Sequence, residues 1–395
     1  MRDRLGQVFL LAACTAIGPL SLNVYLPSLP FVQQTFGADV ASVQLSISLA
    51  LLGFGLGLAL LGPLSDRYGR RPCLIGGLLL FAAGSGLAAL APSLWLLVAG
   101  RFALAVGASV TFISARAVVA DISPQEELPR SVAQVTIVNV IAQSTAPLIG
   151  NAVIAVGGWR ATQWLGAVVG VLLAAIVYYR QAETLKRATA RAVGHSWRNF
   201  LRPTLELSGR RDFRRLMLQV GLLYCAFQAF VSTAPHLMVE AYARPATDFA
   251  FYFAFLPLGY LLGNLFVLQF GRYFREGQLI AVGTSVAVLS CVVSLLLEWM
   301  GVRHPLAMFV PAGLMLNFGL GLALPAVAAR AVLSAGNNVG SAWGLTGFSQ
   351  QALSALAVQS LGYFTATSVY PVLWVCLGAM VLALLLETTR DRQSI

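Results

Sequence analysis

Side chains able to do chemistry are scarce in this chain, and they fall at a few definite places. The densest group is the stretch Gly62-Pro63-Leu64-Ser65-Asp66-Arg67-Tyr68-Gly69-Arg70-Arg71-Pro72, with Asp66, Arg67, Arg70 and Arg71 set between two long apolar runs. A further run carries Arg101 and Arg116 and ends at Asp121, and Asn23 and Tyr25 stand in the proline-containing tract Ser21 to Pro30. A carboxylate beside guanidinium groups at a helix end can make and break contacts worth about 0–1 kcal/mol on the surface, and about 2 kcal/mol where partly buried. That is the chemistry of a reversible conformational latch. Bond-making chemistry needs an acid, a base and a nucleophile gathered at one depth, and no such cluster occurs. His195, His236 and His304 all fall outside the apolar runs, His236 at an outer helix end. The five cysteines stand singly, with no C-x-x-C pair and no neighbouring histidine, so neither a disulfide frame, a metal site nor a cofactor follows. An enzyme has no residues to carry it.

The elements that position these groups follow from composition. Of 395 residues, 58% are hydrophobic and 10% charged, too few polar groups to cover a soluble core of this size. The solvent is therefore lipid. Runs of roughly 20 apolar residues, enough to cross ~30 Å of hydrocarbon at ~1.5 Å per residue, recur along the chain. Twelve are predicted, at about 7–30, 42–64, 73–91, 94–121, 131–154 and 160–179, then 214–235, 249–270, 278–299, 305–328, 340–363 and 367–387. The fold expected is an all-α membrane protein of two six-helix bundles, 1–180 and 214–395, joined by the basic linker 181–213. In that linker Trp197, Phe200 and Leu201 suit an amphipathic surface helix. After the second helix of the second half, Gln269-Phe270-Gly271-Arg272-Tyr273-Phe274-Arg275 reads as a worn copy of the first charged loop, which makes the halves a duplicated unit.

The net charge of +11 has to be read by placement. Of the 26 basic residues, Arg160, Arg244 and Arg303 fall on one side, Arg101 and Arg116 lie within the fourth helix, and all the others fall on the opposite side. The positive-inside rule puts that basic side, with both termini, in the cytoplasm. The charge sets topology and meets lipid headgroups, and it assigns no nucleic-acid partner. Arg2 and Arg4 precede an apolar run too long for a signal-peptide core, so this segment reads as a retained first helix.

Within the helices, Gly53, Gly55 and Gly57 allow a close helix neighbour, and Asn23, Gln143, Gln228, Asn264, Asn317, Gln350 and Gln351 serve as helix–helix glue or as ligands. Aromatics near them, among them Tyr25, Phe112 and Tyr224, could line an adaptable cavity. Arg101 falls near the middle of the hydrocarbon, where a charge needs a partner or a wet cavity. It reads either as a cavity-lining or coupling residue or as a buried structural arginine. Arg116, fifteen residues on, is placed about 22 Å nearer the inner interface and reads as gate or structure.

The loop pattern G-x-x-x-D-R-x-G-R-R is filled at every position and closely resembles the loop between helices 2 and 3 of the major facilitator superfamily. Arg101 to Gly107 resembles that family's helix 4 motif, with Leu104 and Ala105 departing from it. In helix 5 only Pro147 and Gly150 match the antiporter pattern, which keeps a hinge and weakens an antiporter inference. Together with Gly157-Gly158-Trp159-Arg160 and Ser232-Thr233-Ala234-Pro235, the whole chain is similar to the bicyclomycin/chloramphenicol-resistance branch of drug efflux proteins. The resemblance implies proton-driven export of small drug-like molecules by a monomer in a bacterial-type inner membrane. Its lock would be Gly62, Asp66, Arg67, Gly69, Arg70 and Arg71 with Asp121, docking on the start of helix 11 near Val339-Gly340. Asn23, Tyr25, Arg101, Arg116, Gln228 and Gln350 would be the substrate or coupling residues. A dedicated exporter or importer of one metabolite or siderophore is the alternative. Asn23 stands where such relatives often carry an aspartate, and asparagine cannot titrate. No other carboxylate falls near mid-membrane, so coupling is expected to be weak and substrate-dependent, or routed through Glu240 or Asp121.

Overall fold

The computed structural model describes residues 2–124, 127–185, 204–336, 338–364 and 368–391. The suggested surface helix at Trp197–Leu201 and His195 lie outside them. Among the described residues, ten helical stretches are long and apolar enough to cross a membrane. The longest of these, Arg130–Arg180, is broken in two near its middle, and Val339–Gly362 has spanning length but a more polar sequence. Splitting the first and adding the second gives the twelve helices of the sequence reading.

The boundaries differ from expectation where proline and glycine were given the wrong weight. The first span does not end at Pro30. Helix α1 (Arg2–Tyr25) passes through a 3-10 turn, Leu26–Ser28, into α2 (Leu29–Phe36), which stops at Gly37 with φ 58°. Pro27 and Pro30 occupy first-turn positions, where a missing N–H costs nothing. Helices α3 (Val40–Leu60), α4 (Gly62–Tyr68), α5 (Arg70–Ala89) and α6 (Leu94–Ile122) follow. The expected turn after the fifth span shrinks to two residues inside α7 (Leu128–Arg180), where only Gly157 (φ −136°, ψ 15°) and Gly158 (φ 67°, ψ −175°) leave helical geometry. Around Pro147 and Gly150 the backbone stays helical.

By packing, the chain divides into two compact units, residues 1–38 with 45–203, and residues 39–44 with 204–395. In the first unit α5 and α6 cross with their backbones in contact. A Cβ on Gly84 would lie 2.8 Å from the Gly100 carbonyl oxygen, and one on Gly100 would lie 2.8 Å from that of Gly84. In lipid, where apolar burial does not drive helices together, such close approach is what holds them. Leu74, Leu78, Phe81, Leu104 and Val118 fill the core around the crossing. Gly84→Val is therefore expected to remove most of the protein from the membrane, since overpacking of this kind costs about 1–3 kcal/mol or more. Gly86→Val, on a face with nothing within 4 Å, should leave the amount unchanged by immunoblot.

The second unit contains α8 (Arg211–Glu240), α9 (Phe249–Phe253), α10 (Phe255–Phe270), α11 (Glu276–Trp299), α12 (Pro305–Met308), α13 (Leu316–Ser334), α14 (Val339–Gly362) and α15 (Tyr370–Asp391). Between α12 and α13 the helix widens into a π-helical segment, Phe309–Met315, whose Phe309 ring meets Phe230 at 5.3 Å and Tyr252 at 5.3 Å. His236 departs from the sequence reading. It sits inside α8 and is buried, because Pro235 does not end that helix. His304 lies outside the spans, where its Nδ1 accepts from the Leu306 N–H and caps α12.

Candidate functional site

In the first unit the charged loop folds as α4, a one-residue reversal at Gly69 (φ 107°), and the start of α5. The reversal brings Arg70 back to the end of α6, with its Nε 3.3 Å from Asp121 Oδ2 and its Nη1 donating to Ser65 Oγ at 2.7 Å. Thr184 Oγ1 donates to the same Asp121 oxygen at 2.9 Å. Arg71 donates to the Tyr178 carbonyl at 2.6 Å and lies over its ring, while Arg67 is exposed beside Tyr68. Asp66 belongs to α4, and the side chains of Gly62, Pro63, Asp66 and Val339 are outside the described positions.

A member of this latch that the sequence did not reveal is Glu183, just past the end of α7. Its Oε1 accepts from the Arg70 N–H at 2.9 Å and its Oε2 from the Arg71 N–H at 3.2 Å, so a carboxylate caps the N-terminus of α5. A Cβ on Gly69 would come within 2.5 Å of that carboxylate, which gives the glycine a second reason beyond its φ. Glu183 fell at the start of what read as linker. Its signal was an acid just past the end of a span, in a basic stretch that holds only Glu206 and Asp212 besides.

Arg101 is almost completely buried, 1% exposed, within the first unit. Its Nε donates to the Ser46 carbonyl at 3.0 Å, its Nη1 makes a long 3.5 Å contact to Gln163 Oε1, and its guanidinium lies 3.7 Å above the Tyr25 ring. The Tyr25 hydroxyl pairs with Ser46 Oγ at 2.9 Å. One cation thus joins α1, α3, α6 and α7 with no carboxylate among its described partners. Asn23, also buried, donates to the Pro19 carbonyl at 2.8 Å. Gly150 packs directly on the Val24 carbonyl between those two residues, so the helix carrying Pro147 and Gly150 rests on the Asn23–Tyr25 tract. Arg116 is different. It is exposed, and its guanidinium lies 4.3 Å from the centre of the Phe112 ring. In the second unit Gln228 is buried and donates to Ser232 Oγ at 3.1 Å, and half-buried Gln350 accepts through its carbonyl from Ser354.

The second unit also corrects the reading of its charged loop. Arg272 turns onto Tyr273 and Arg275 is exposed, so that stretch does not repeat the first latch. The charges meet elsewhere. Arg330, expected in a loop, lies on α13, because the Ala-rich sequence carries that helix to Ser334 before Gly336 (φ 60°) ends it. Its Nη1 is 2.9 Å from Glu387 Oε1 on α15, and its Nε is 3.6 Å from Glu276 Oε2 at the first residue of α11. Gln219 Nε2 donates to the second Glu387 oxygen at 3.3 Å, so this buried carboxylate is fully engaged. A Cβ on Gly277 would lie 3.3 Å from Glu387, as one on Gly69 would meet Glu183.

Comparison with known proteins fits this plan. The chain is 28% identical over 372 residues to an uncharacterized MFS-type transporter, YdgK, of Bacillus subtilis, covering 93% of this chain and 91% of the other. It is 26% identical to the multidrug resistance protein MdtL of Shewanella oneidensis, over 92% and 90% of the two chains. To a chloramphenicol resistance protein of Pseudomonas aeruginosa it is 27% identical, over 80% and 74%. The xylose transporter XylE of E. coli superposes with TM-score 0.75 at 15% identity, over 97% of this chain and 99% of that one. A bacterial homologue of the human lysosomal transporter Spinster superposes at 0.74 and 14% identity, over 99% and 97%. The family model of the Major Facilitator Superfamily matches residues 11–358, and the chain belongs to that superfamily of membrane transporters.

Proposed function

We propose that this transporter exports small drug-like molecules by alternating access, with its basic side and both termini in the cytoplasm and residues 181–213 linking halves 1–180 and 214–395. The observation that carries the reading is the latch of Arg70 and Asp121. Its side chains are only partly covered, 14% and 32% exposed, so it can open and close at small cost. The relatives named for multidrug and chloramphenicol resistance, alike along most of their length, support drug-like cargo. A drug-susceptibility panel in cells with and without the protein tests this. Raised tolerance to at least one aromatic antibiotic is expected, and an unchanged panel with the protein present in the membrane would refute it.

Coupling to protons is expected to be weak. Asn23 has no titratable group, Glu240 is exposed at the end of its helix, and Asp121 is held by Arg70 and Thr184. In liposomes at zero membrane potential, the native protein should move substrate at rates that differ less than about threefold with and without a pH gradient, a difference below about 1 kcal/mol of driving force. Asn23→Asp should enlarge that dependence, because only the protonated acid can donate to the Pro19 carbonyl as the amide does. A steep dependence in the native form that persists when Glu240 and Asp121 are neutralised would exclude this view of coupling.

A further inference from the structure

The apolar spans are electrostatically one-sided. Every described carboxylate that falls within a candidate span lies at or next to its end: Asp121, Asp212, Glu240, Glu276, Glu298 and Glu387. Helix α6 of the first unit carries two guanidinium groups within its span instead, one buried and one exposed. Arg101 is engaged by Tyr25, Ser46 and Gln163, all uncharged. Arg116 is exposed, and no hydrogen bond or ion pair to any described residue engages it.

Arg116 lies six residues before the end of α6, about 9 Å at helical rise, so its side chain could have reached toward that end and its headgroup region. It does the opposite. The guanidinium rests over Phe112, one turn back toward the middle of the helix, and the Phe112 ring meets Phe54 of α3 edge-on at 5.8 Å. An exposed cation at that depth is tolerated where it faces a polar or wet space, and a cation stacked on one of two touching rings presents a flat, positive, aromatic-flanked surface.

We infer that Arg116, with Phe112 and Phe54, is a substrate-contacting site that selects planar aromatic anions, or neutral aromatics with acceptor oxygens, over lipophilic cations. A guanidinium gives a carboxylate, phenolate or nitro oxygen charge-assisted hydrogen bonds, while the neighbouring rings take the planar body. A cationic ligand would meet a like charge, with no described carboxylate away from the ends of the first unit's spans to offset it. This names the cargo class within the export reading and rests on that reading only for the direction of movement.

Two xanthene dyes of opposite charge, fluorescein and rhodamine 6G, provide the test. Binding to the purified full-length protein in nanodiscs is measured by fluorescence anisotropy, which needs no transport. The native protein should bind fluorescein at least about tenfold more tightly than rhodamine 6G, the size expected of one charge-assisted contact. Arg116→Gln should lose about that factor for fluorescein alone, Arg116→Lys should keep part of it, and Arg116→Glu should reverse the preference. Phe112→Ala should weaken both dyes and leave their order unchanged, and it supplies a second variant should an Arg116 substitution fail to accumulate. A native preference for rhodamine 6G, no binding of fluorescein, or a preference untouched in normally melting Arg116 variants would each overturn the assignment. An unchanged susceptibility panel together with Arg116-dependent fluorescein binding would instead refute export while leaving this site intact.

Discussion

Arg101→Ala is expected to abolish transport and to lower the folded protein in the membrane severalfold. The guanidinium on α6 touches groups on three other helices of the first unit, and its removal leaves Gln163 Oε1 without this donor, takes one of the hydrogen bonds to the Ser46 carbonyl and leaves the Tyr25 ring beside a void. A buried acceptor left unsatisfied costs about 1–3 kcal/mol, and a desolvated cation–π contact is worth about 2 kcal/mol. Arg101→Lys retains the charge, but one ammonium cannot stack flat on Tyr25 while reaching Ser46 and Gln163, so partial recovery at best is expected. Arg101→Met separates structure from transport. It fills the volume without the charge, and it should restore the amount seen by immunoblot while tolerance to the exported drug stays lost. Full tolerance in the methionine variant would make Arg101 a packing residue only.

What the sequence disclosed and what it hid divide along a physical line. Spanning segments and the charged loop were legible, because hydropathy and a filled local pattern are properties of contiguous residues, whereas Asp121, 3.3 Å from Arg70, was singled out by its place at a helix end on the loop's side and by the resemblance to the family's lock. The need of Arg101 for a partner was legible too, since it follows from the cost of a charge in hydrocarbon. Its actual partners were not: Tyr25, Ser46 and Gln163 come from three other helices, and helix packing is not written in any one of them. Glu183 and Glu387 were passed over for the same reason, as each caps or clamps a helix distant in the chain. His236 and Arg330 were misplaced by a different error. Proline was taken to end α8 and the Ala-rich stretch before Gly336 to be loop, whereas in lipid both continue as helix.

The second large effect is expected at Arg330. Glu276 at the first residue of α11, Arg330 on α13 and Glu387 on α15 occupy the places that Arg70 at the first residue of α5, Asp121 on α6 and Glu183 after α7 hold in the first unit. The glutamate near the end of the sixth helix of each half keeps its sign, while the other two charges have exchanged. Arg330→Asp would then bring three carboxylates together around a site where Arg330 is only 12% and Glu387 4% exposed. Breaking a buried pair this way costs about 3–5 kcal/mol, so the variant should melt well below the native protein in detergent and confer no drug tolerance. Glu276→Arg added to Arg330→Asp recreates the order of the first unit, cation at the helix start and acid on the following partner helix. It should recover most of the lost melting temperature and a large part of the tolerance. Glu276 is 61% exposed, so Glu276→Arg alone disturbs little packing, and any loss it causes comes from two guanidinium groups facing one another. If the double variant melts and transports no better than Arg330→Asp, charge pairing is not what holds α11, α13 and α15 together, and the correspondence between the two halves ends at their helices.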